Sequence, residues 1–333
     1  MAEGGHHPSG PDVLPEIACL EQFHAAQVRG GPPPGEMVCK LLLDTLALGN
    51  KEVYRFLHGE RPSFEEFRAW IIATAGQPDP ALLTRYHAWL HDRPLDRDAS
   101  ARLGLIAAMP PVLDEAALRF WDDRGYVVLR QAIEPEHAEM LSRVIWDWLD
   151  ASPDDPSSWY GGDTDGIMIP VYRHPAMAAA RGSVRIHKAF AQLWESENLW
   201  ATIDRLGFNP PQTAGYRFRG SDLHWDVSLA RPIPFGTQGL LYLTGTREDQ
   251  GAFRCVPGFH KRIDAWLDGI GAADPREVDL SAEEKCIAAN AGDLIIWRQD
   301  LPHGASPNRS DRPRLVQYLN YYSPDMPIRS RWC

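Results

Sequence analysis

The sequence predicts an α+β protein: a strand-rich C-terminal half folded as an antiparallel barrel or jelly roll, flanking helices ahead of it, and a small all-helical region nearer the N-terminus. Two observations carry this. After Gln212 short strand-like runs alternate with Gly/Pro turns, at 213–219, 223–229, 239–244, 252–256, 285–289, 294–298 and 314–322, the pattern of antiparallel sandwiches and barrels rather than of parallel α/β units. Between Glu36 and Ala108, by contrast, apolar residues recur at helical spacing with capping signals between them. The 333 residues are 44% hydrophobic and 24% charged, ordinary for a globular chain and incompatible with a disordered or fibrous one.

In chain order, residues 1–34 hold Gly-Gly-His-His-Pro at the start and Gly30 to Pro34 at the end. They read as a flexible segment and linker, because proline neither continues a helix nor donates a backbone hydrogen bond. Residues 35–109 read as a helical domain. Glu36 to Leu48 is one periodic stretch, Asn50 caps a short helix to His58, and Ser63 with Glu66 has capping-box spacing. Asp79-Pro80 opens a helix to about His91. Residues 110–333 form the second domain. Asp114 caps a helix through Trp121 stopped at Gly125, a strand-like run follows at 126–130, and a helix begins at Pro135. In that helix Leu141, Val144, Ile145, Trp148 and Leu149 lie on one face. Residues 151–166 read as a loop and 189–206 as a helix stopped by Gly207. Trp121, Trp146 and Trp148 are expected in the core, as are Trp225, Tyr242 and Trp297.

The net charge of −11 repels phosphate backbones and anionic membranes, so neither nucleic acid nor a membrane is an expected partner. No apolar run approaches the roughly 18 residues needed to span a bilayer, and the start has no apolar signal core. A cytoplasmic protein is expected. Five scattered cysteines (Cys19, Cys39, Cys255, Cys286, Cys333), without a Cys-x-x-Cys pair, fit free thiols in a reducing compartment.

The chemistry concentrates in the strand-rich half. His224-Trp225-Asp226 sits in a strand-like run, where alternation sends His224 and Asp226 to one face and Trp225 to the other. Alone this is weak, since such a triplet arises roughly once by chance in a chain of this composition. His303, just after the buried-strand pattern Asp293 to Trp297, is a third donor. Two imidazoles and one carboxylate form a facial triad with three open positions, which suits Fe(II) better than a thiolate-rich structural zinc site. Arg314, eleven residues after His303, can clamp the distal carboxylate of a 2-oxoacid with two parallel bonds. Arg312 is its rival on the same face. Gln212 and Arg217 precede the His-x-Asp run and are further candidates to bind the 2-oxoacid or substrate, against the alternative of polar residues on an outer strand face. Arg185, His187 and Lys188, with Arg217 and Arg219, would favour an anionic substrate if they line the mouth; otherwise they belong to a salt-bridged surface. His260 reads as a turn residue that at most orients a ligand.

These residues resemble the phytanoyl-CoA dioxygenase-like family of Fe(II)/2-oxoglutarate-dependent oxygenases. The resemblance runs from about Leu113 to Pro324: the entry segment Phe120 to Leu129, His224-x-Asp226, Gly251 to Lys261 with Pro257-Gly258-Phe259-His260, Gly292-Asp293, His303-Gly304, and Arg314. It implies a double-stranded β-helix (cupin-like jelly roll) with iron held by His224, Asp226 and His303. It also implies 2-oxoglutarate and dioxygen as co-substrates, with Arg314 holding 2-oxoglutarate. Many members carry serine two residues after the distal histidine; here that position is Ala305, and the nearest hydroxyl is Ser306. Related halogenases have a small residue where this chain has Asp226, so the carboxylate implies hydroxylation, or another oxidation without halide, with succinate and CO2 as co-products, of an unactivated C–H bond in a small metabolite, anionic (an amino acid or carboxylate) if the arginines line the mouth. Desaturation, epoxidation or cyclisation on the same scaffold, and a non-catalytic cupin-like binding protein, stand as alternatives. The helical region lies outside the resemblance and is read as a packing, homo-oligomer or carrier-protein module.

Overall fold

The computed structural model describes residues 13–218 and 220–329. Its contacts divide the chain into two units, Met1–Arg102 and Leu103–Cys333.

The first unit is helical: α1 (Leu20–Arg29), α2 (Glu36–Thr45), α3 (Asn50–Glu60), α4 (Phe64–Ala75) and α5 (Pro80–Leu90), with α6 (Arg97–Ala108) crossing the division. The Ser63/Glu66 capping box forms in both directions, and Asp79 caps α5 with Pro80 in its first turn. Two sequence expectations need correction. Residues 13–34 are not a loose linker: α1 buries Leu20, Phe23 and His24, and Phe23 packs against the Tyr54 and Phe67 rings. The prolines on either side mask an apolar stripe that is short but of helical period. Residues 1–12 of that segment lie outside the described residues. Asn50 does not cap α3; Gly49 holds the cap position and its backbone N–H donates to Glu52.

In the second unit α7 (Glu115–Arg124) runs from its Asp114 cap to Gly125, which closes it in a left-handed conformation. Then come β1 (Tyr126–Leu129), α8 (Pro135–Leu149), β2 (Met168–Ile169), α9 (Pro175–Arg181), α10 (Val184–Trp194), β3 (Trp200–Ala201) and β4 (Leu206–Asn209). The strand-rich half adds β5 (Thr237–Tyr242), β6 (Phe253–Cys255), α11 (Ile263–Gly269), β7 (Lys285–Ile287), β8 (Leu294–Arg298), β9 (His303–Ala305), β10 (Arg314–Tyr318) and β11 (Tyr321–Tyr322). Every named strand pair is antiparallel. A six-stranded sheet runs β1-β8-β5-β10-β4-β2, and a three-stranded sheet runs β7-β6-β9.

The period-two alternation of these strands builds two cores. Leu241, Leu294, Ile296 and Leu315 face α8 and α10 through Leu141, Ile145, Ile186 and Phe190. Leu240, Tyr242, Ile295, Trp297 and Val316 face the other way and meet Phe253 and Cys255 of the small sheet. The candidate site is built on this second, inner face.

Three further expectations differ from the structure. The helix read over 189–206 is instead α10, capped by Ser183 and ended at Glu195; apolar residues return afterwards as β4. Gly207 is a packing residue within that strand, since a Cβ there would lie 2.8 Å from Val316 Cγ2. The runs 213–219 and 223–229 form no strand among the described residues. Thr213 to Tyr216 closes a turn, and the His-x-Asp segment touches β9 through one isolated bridge, His224 to His303. Trp148 is 45% exposed rather than core, its indole N–H donating to the Asp163 carbonyl.

Gly239 in β5 offers a stability test. A Cβ there would lie well inside contact distance of the Leu319 carbonyl oxygen, and backbone cannot swing aside. Gly239→Ala is expected to cost about 2–3 kcal/mol, the overpacking range, and to lower the melting temperature by roughly 5–10 °C. An unchanged thermal melt would contradict this packing.

Candidate metal and oxoacid site

His303 opens β9, immediately after the turn that follows β8. That turn is held by a two-bonded Arg298–Asp300 pair at 2.9 and 2.8 Å, and by the Trp225 indole donating to the Asp300 carbonyl. Trp225 is therefore anchored in the inner core at 2% exposure, while its neighbours His224 and Asp226 emerge on the open side. His224 and His303 exchange reciprocal backbone hydrogen bonds of 3.0 Å, and their rings stand 4.8 Å apart. One bridge thus does what a strand was expected to do.

The two imidazoles are set in the same tautomer. His224 Nδ1 lies 2.7 Å from the Asp222 carbonyl oxygen and His303 Nδ1 lies 3.0 Å from that of Leu301. A carbonyl only accepts, so each Nδ1 carries the proton and each Nε2 presents a lone pair. Both Nε2 atoms point at Asp226, from His224 at 3.7 Å and from His303 at 3.4 Å. The three ligand atoms lie within 4.8 Å of one another. Desolvation pulls the Asp226 carboxyl upward, but His303 and His224 in their protonated form, together with the Gln238 amide, outweigh it and hold it below the usual carboxylate range; a bound metal ion would take the place of those Nε2 protons. Two neutral nitrogens and one ionised oxygen, without thiolate, fit a hard-to-borderline divalent ion such as Fe(II). The side chains of His224 and Asp226 remain 40% and 56% exposed, so the group is reachable from outside.

Arg314 lies deeper. It is 1% exposed, and its Nε and Nη2 have no hydrogen-bond partner. A guanidinium left so is costly unless an anion completes it. Its strand places Asn209 directly opposite, and continuing the β10·β5 register brings Thr244 to its other flank. Asn209 Oδ1, Thr244 Oγ1 and Ser306 Oγ are also buried without a partner. Burial raises the pKa of the nearby Cys286 thiol, and the Ser306 hydroxyl opposes that rise. Burial pushes the Tyr242 phenol up to about 12, with the Arg314 charge pulling the other way. Contacts link the two clusters across the inner face. The Tyr242 hydroxyl accepts from the Phe253 N–H, and the Phe253 ring stacks on His303 at 6.2 Å. The Arg314 nitrogens and the Thr244 and Ser306 hydroxyls can all donate to a carboxylate, whereas Asn209 Oδ1 can only accept.

Other sequence candidates fall elsewhere. Gln212 spends its amide on the Phe218 carbonyl at 2.7 Å, and Arg217 is exposed; neither has a hydrogen bond or ion pair to the triad or to Arg314, because their run is a turn rather than a strand. Arg312 is exposed. Arg185 and Lys188 lie within α10 and bond to the carbonyls of Arg130, Gln131 and Ala107, while His187 Nε2 pairs with that of Glu197. They therefore tie α10 down rather than form a cationic mouth for an anionic substrate. His260 Nε2 pairs with the Asp122 carbonyl. Arg219 and Cys333 lie outside the described residues; the other four cysteines are free. Sequence reasoning missed Gln238, Asn209 and Thr244, whose places depend on strand pairings that leave no local signal.

The model of one protein family, described as phytanoyl-CoA dioxygenase (PhyH), matches residues 121–316. Among curated relatives, a Dictyostelium discoideum protein, by name provisionally a phytanoyl-CoA dioxygenase, is 20% identical over 258 residues, covering 61% of this chain and 74% of that one. Dioxygenase olcK of Penicillium canescens is 30% identical over 146 residues, 43% of each chain. Among solved structures, EvdO2 from Micromonospora carbonacea var. aurantiaca complexed with 2-oxoglutarate is 17% identical with a TM-score of 0.47, covering 66% of this chain and 94% of that one.

Proposed function

The chain belongs to the phytanoyl-CoA dioxygenase family, non-haem Fe(II)- and 2-oxoglutarate-dependent dioxygenases, and from that premise we propose that it hydroxylates an unactivated C–H bond of a small metabolite; an anionic or amino-acid-like one loses its support, because Arg185 and Lys188 are spent on backbone carbonyls. Succinate and CO2 are the co-products. The observation that carries the reading is the pairing of three convergent ligand atoms with a buried, unpartnered guanidinium at Arg314.

In this reading His224 Nε2, His303 Nε2 and one Asp226 oxygen hold the iron, which when bound supplies the oxidation of 2-oxoglutarate and substrate by dioxygen. The chain's own residues do the rest. The Asp222 and Leu301 carbonyls keep both imidazoles in the ligating tautomer. Arg314 receives the distal carboxylate of 2-oxoglutarate, with the Thr244 and Ser306 hydroxyls able to donate to it in place of the hydroxyl absent at Ala305. Phe253 and Trp297 wall His303 on its inner side, at 6.2 and 5.2 Å between rings, and exclude water there. The carboxylate at Asp226 would serve as a ligand where a halide would otherwise sit, which favours hydroxylation or another oxidation without halide. We read the two facing sheets as a double-stranded β-helix within a catalytic domain of residues 110–333, and the helical region as a packing or docking module.

Anaerobic addition of Fe(II) and 2-oxoglutarate to metal-free protein tests the site. A weak visible charge-transfer band that needs both additions is expected. Folded protein that gives no band would count against it. Product mass then separates outcomes, since hydroxylation adds one oxygen and desaturation removes two hydrogens.

A further inference from the structure

We propose that Gln238 is a positioning residue that sets the orientation in which Asp226 meets the metal, with Trp297 fixing Gln238 in turn; the proposal rests on the metal reading above. Gln238 and Trp297 are directly opposed in the β5·β8 register. The Trp297 indole N–H donates to Gln238 Oε1 at 3.0 Å. An indole nitrogen can only donate, so this bond decides which end of the amide faces which way. Gln238 Nε2 is thereby turned to Asp226 and donates to Oδ2 at 2.7 Å, a short bond to an ionised acceptor and hence a strong one.

Asp226 needs such a hold more than the histidines do. Each imidazole is anchored by a carbonyl two residues away in its own segment. Asp226 lies beyond the single bridge to β9, in a stretch without strand pairing, and its side chain is 56% exposed. Among the described residues, its one hydrogen bond to a group that is not itself a ligand candidate is the one from Gln238. Trp297 is the rigid end of the relay. It is 3% exposed, with Phe253 against its ring at 4.4 Å and His303 at 5.2 Å. The wall that backs one ligand thus orients another.

The test is Co(II) affinity, measured by chelator competition on the full chain, for the parent and for Gln238→Met, which keeps the length and removes the donor. The Co(II) dissociation constant is expected to rise about 10–100-fold, the usual effect of losing a partner that orients a ligand. Trp297→Phe should move it the same way by less, because the amide is then free to turn. A folded Gln238→Met that binds Co(II) within about twofold of the parent overturns the proposal. Should Gln238→Met not fold, Gln238→Glu decides by the same readout: it keeps an acceptor for Trp297 and sets a second oxygen, not a donor, against Asp226. A parent chain that binds no Co(II) overturns the metal reading itself, whereas equal binding by parent and variant sinks only the role of Gln238.

Discussion

Replacing Asp226 by alanine should abolish 2-oxoglutarate-dependent succinate formation while leaving the protein folded. The substitution removes one of three convergent ligand atoms and the only anionic one, so metal affinity should fall by more than the roughly 100-fold seen when an outer partner is lost. Stability should barely change. The Asp226 side chain is 56% exposed, and exposed substitutions away from packing usually stay within about 0.5 kcal/mol. Succinate release coupled to substrate, Co(II) affinity and a thermal melt read the three consequences separately. Turnover near the parent rate in a folded variant would mean that the iron is held by other residues.

Arg314→Leu should be the second large loss, with a different signature. The metal ligands are untouched, so Co(II) affinity should be unchanged. Binding of 2-oxoglutarate should weaken by about 10²–10³-fold, in line with truncating one partner of a buried, hydrogen-bonded charge pair. Without ligand the variant should be at least as stable as the parent, because it no longer buries a guanidinium whose Nε and Nη2 lack partners. Saturating 2-oxoglutarate should raise the melting temperature of the parent through ligand linkage and leave that of the variant in place. Arg314→Lys should not restore the shift, since a point charge cannot make the two parallel bonds. A variant that still shows the full 2-oxoglutarate shift would move the carboxylate clamp to another residue.

How legible the protein was differs by the range of the interactions involved. Asp114, Gly125 and Pro135 mark real helix ends because caps are local chemistry: a side chain or a left-handed turn satisfies backbone groups a few residues away. The strand 294–298 is found where its apolar run lies. The same local logic failed where a residue's meaning comes from a distant segment. Gly207 looks like a helix stop, but its role is to admit Val316. The alternating run 223–229 looks like a strand, but with one bridge to β9 it has too few pairings to form one. Residues 20–29 look like linker because of the prolines around them, yet Tyr54 and Phe67 give Phe23 a core to join.

The sequence by itself determined the antiparallel character of the C-terminal half, the family, and the candidate donors: His224 and Asp226 by their spacing, His303 and Arg314 by their places at the starts of runs. Period-two alternation and ligand chemistry are properties of residues and their order, and they survive without coordinates. Only the tertiary structure decided that the three ligand atoms converge, that both histidines offer Nε2, and that Arg314 is sealed from water with unsatisfied nitrogens. It alone brought Gln238 between Trp297 and Asp226 and set Asn209 opposite Arg314. Tautomer, burial and cross-strand partnership are set by atoms that lie far apart along the chain and meet only once the sheets have closed on each other.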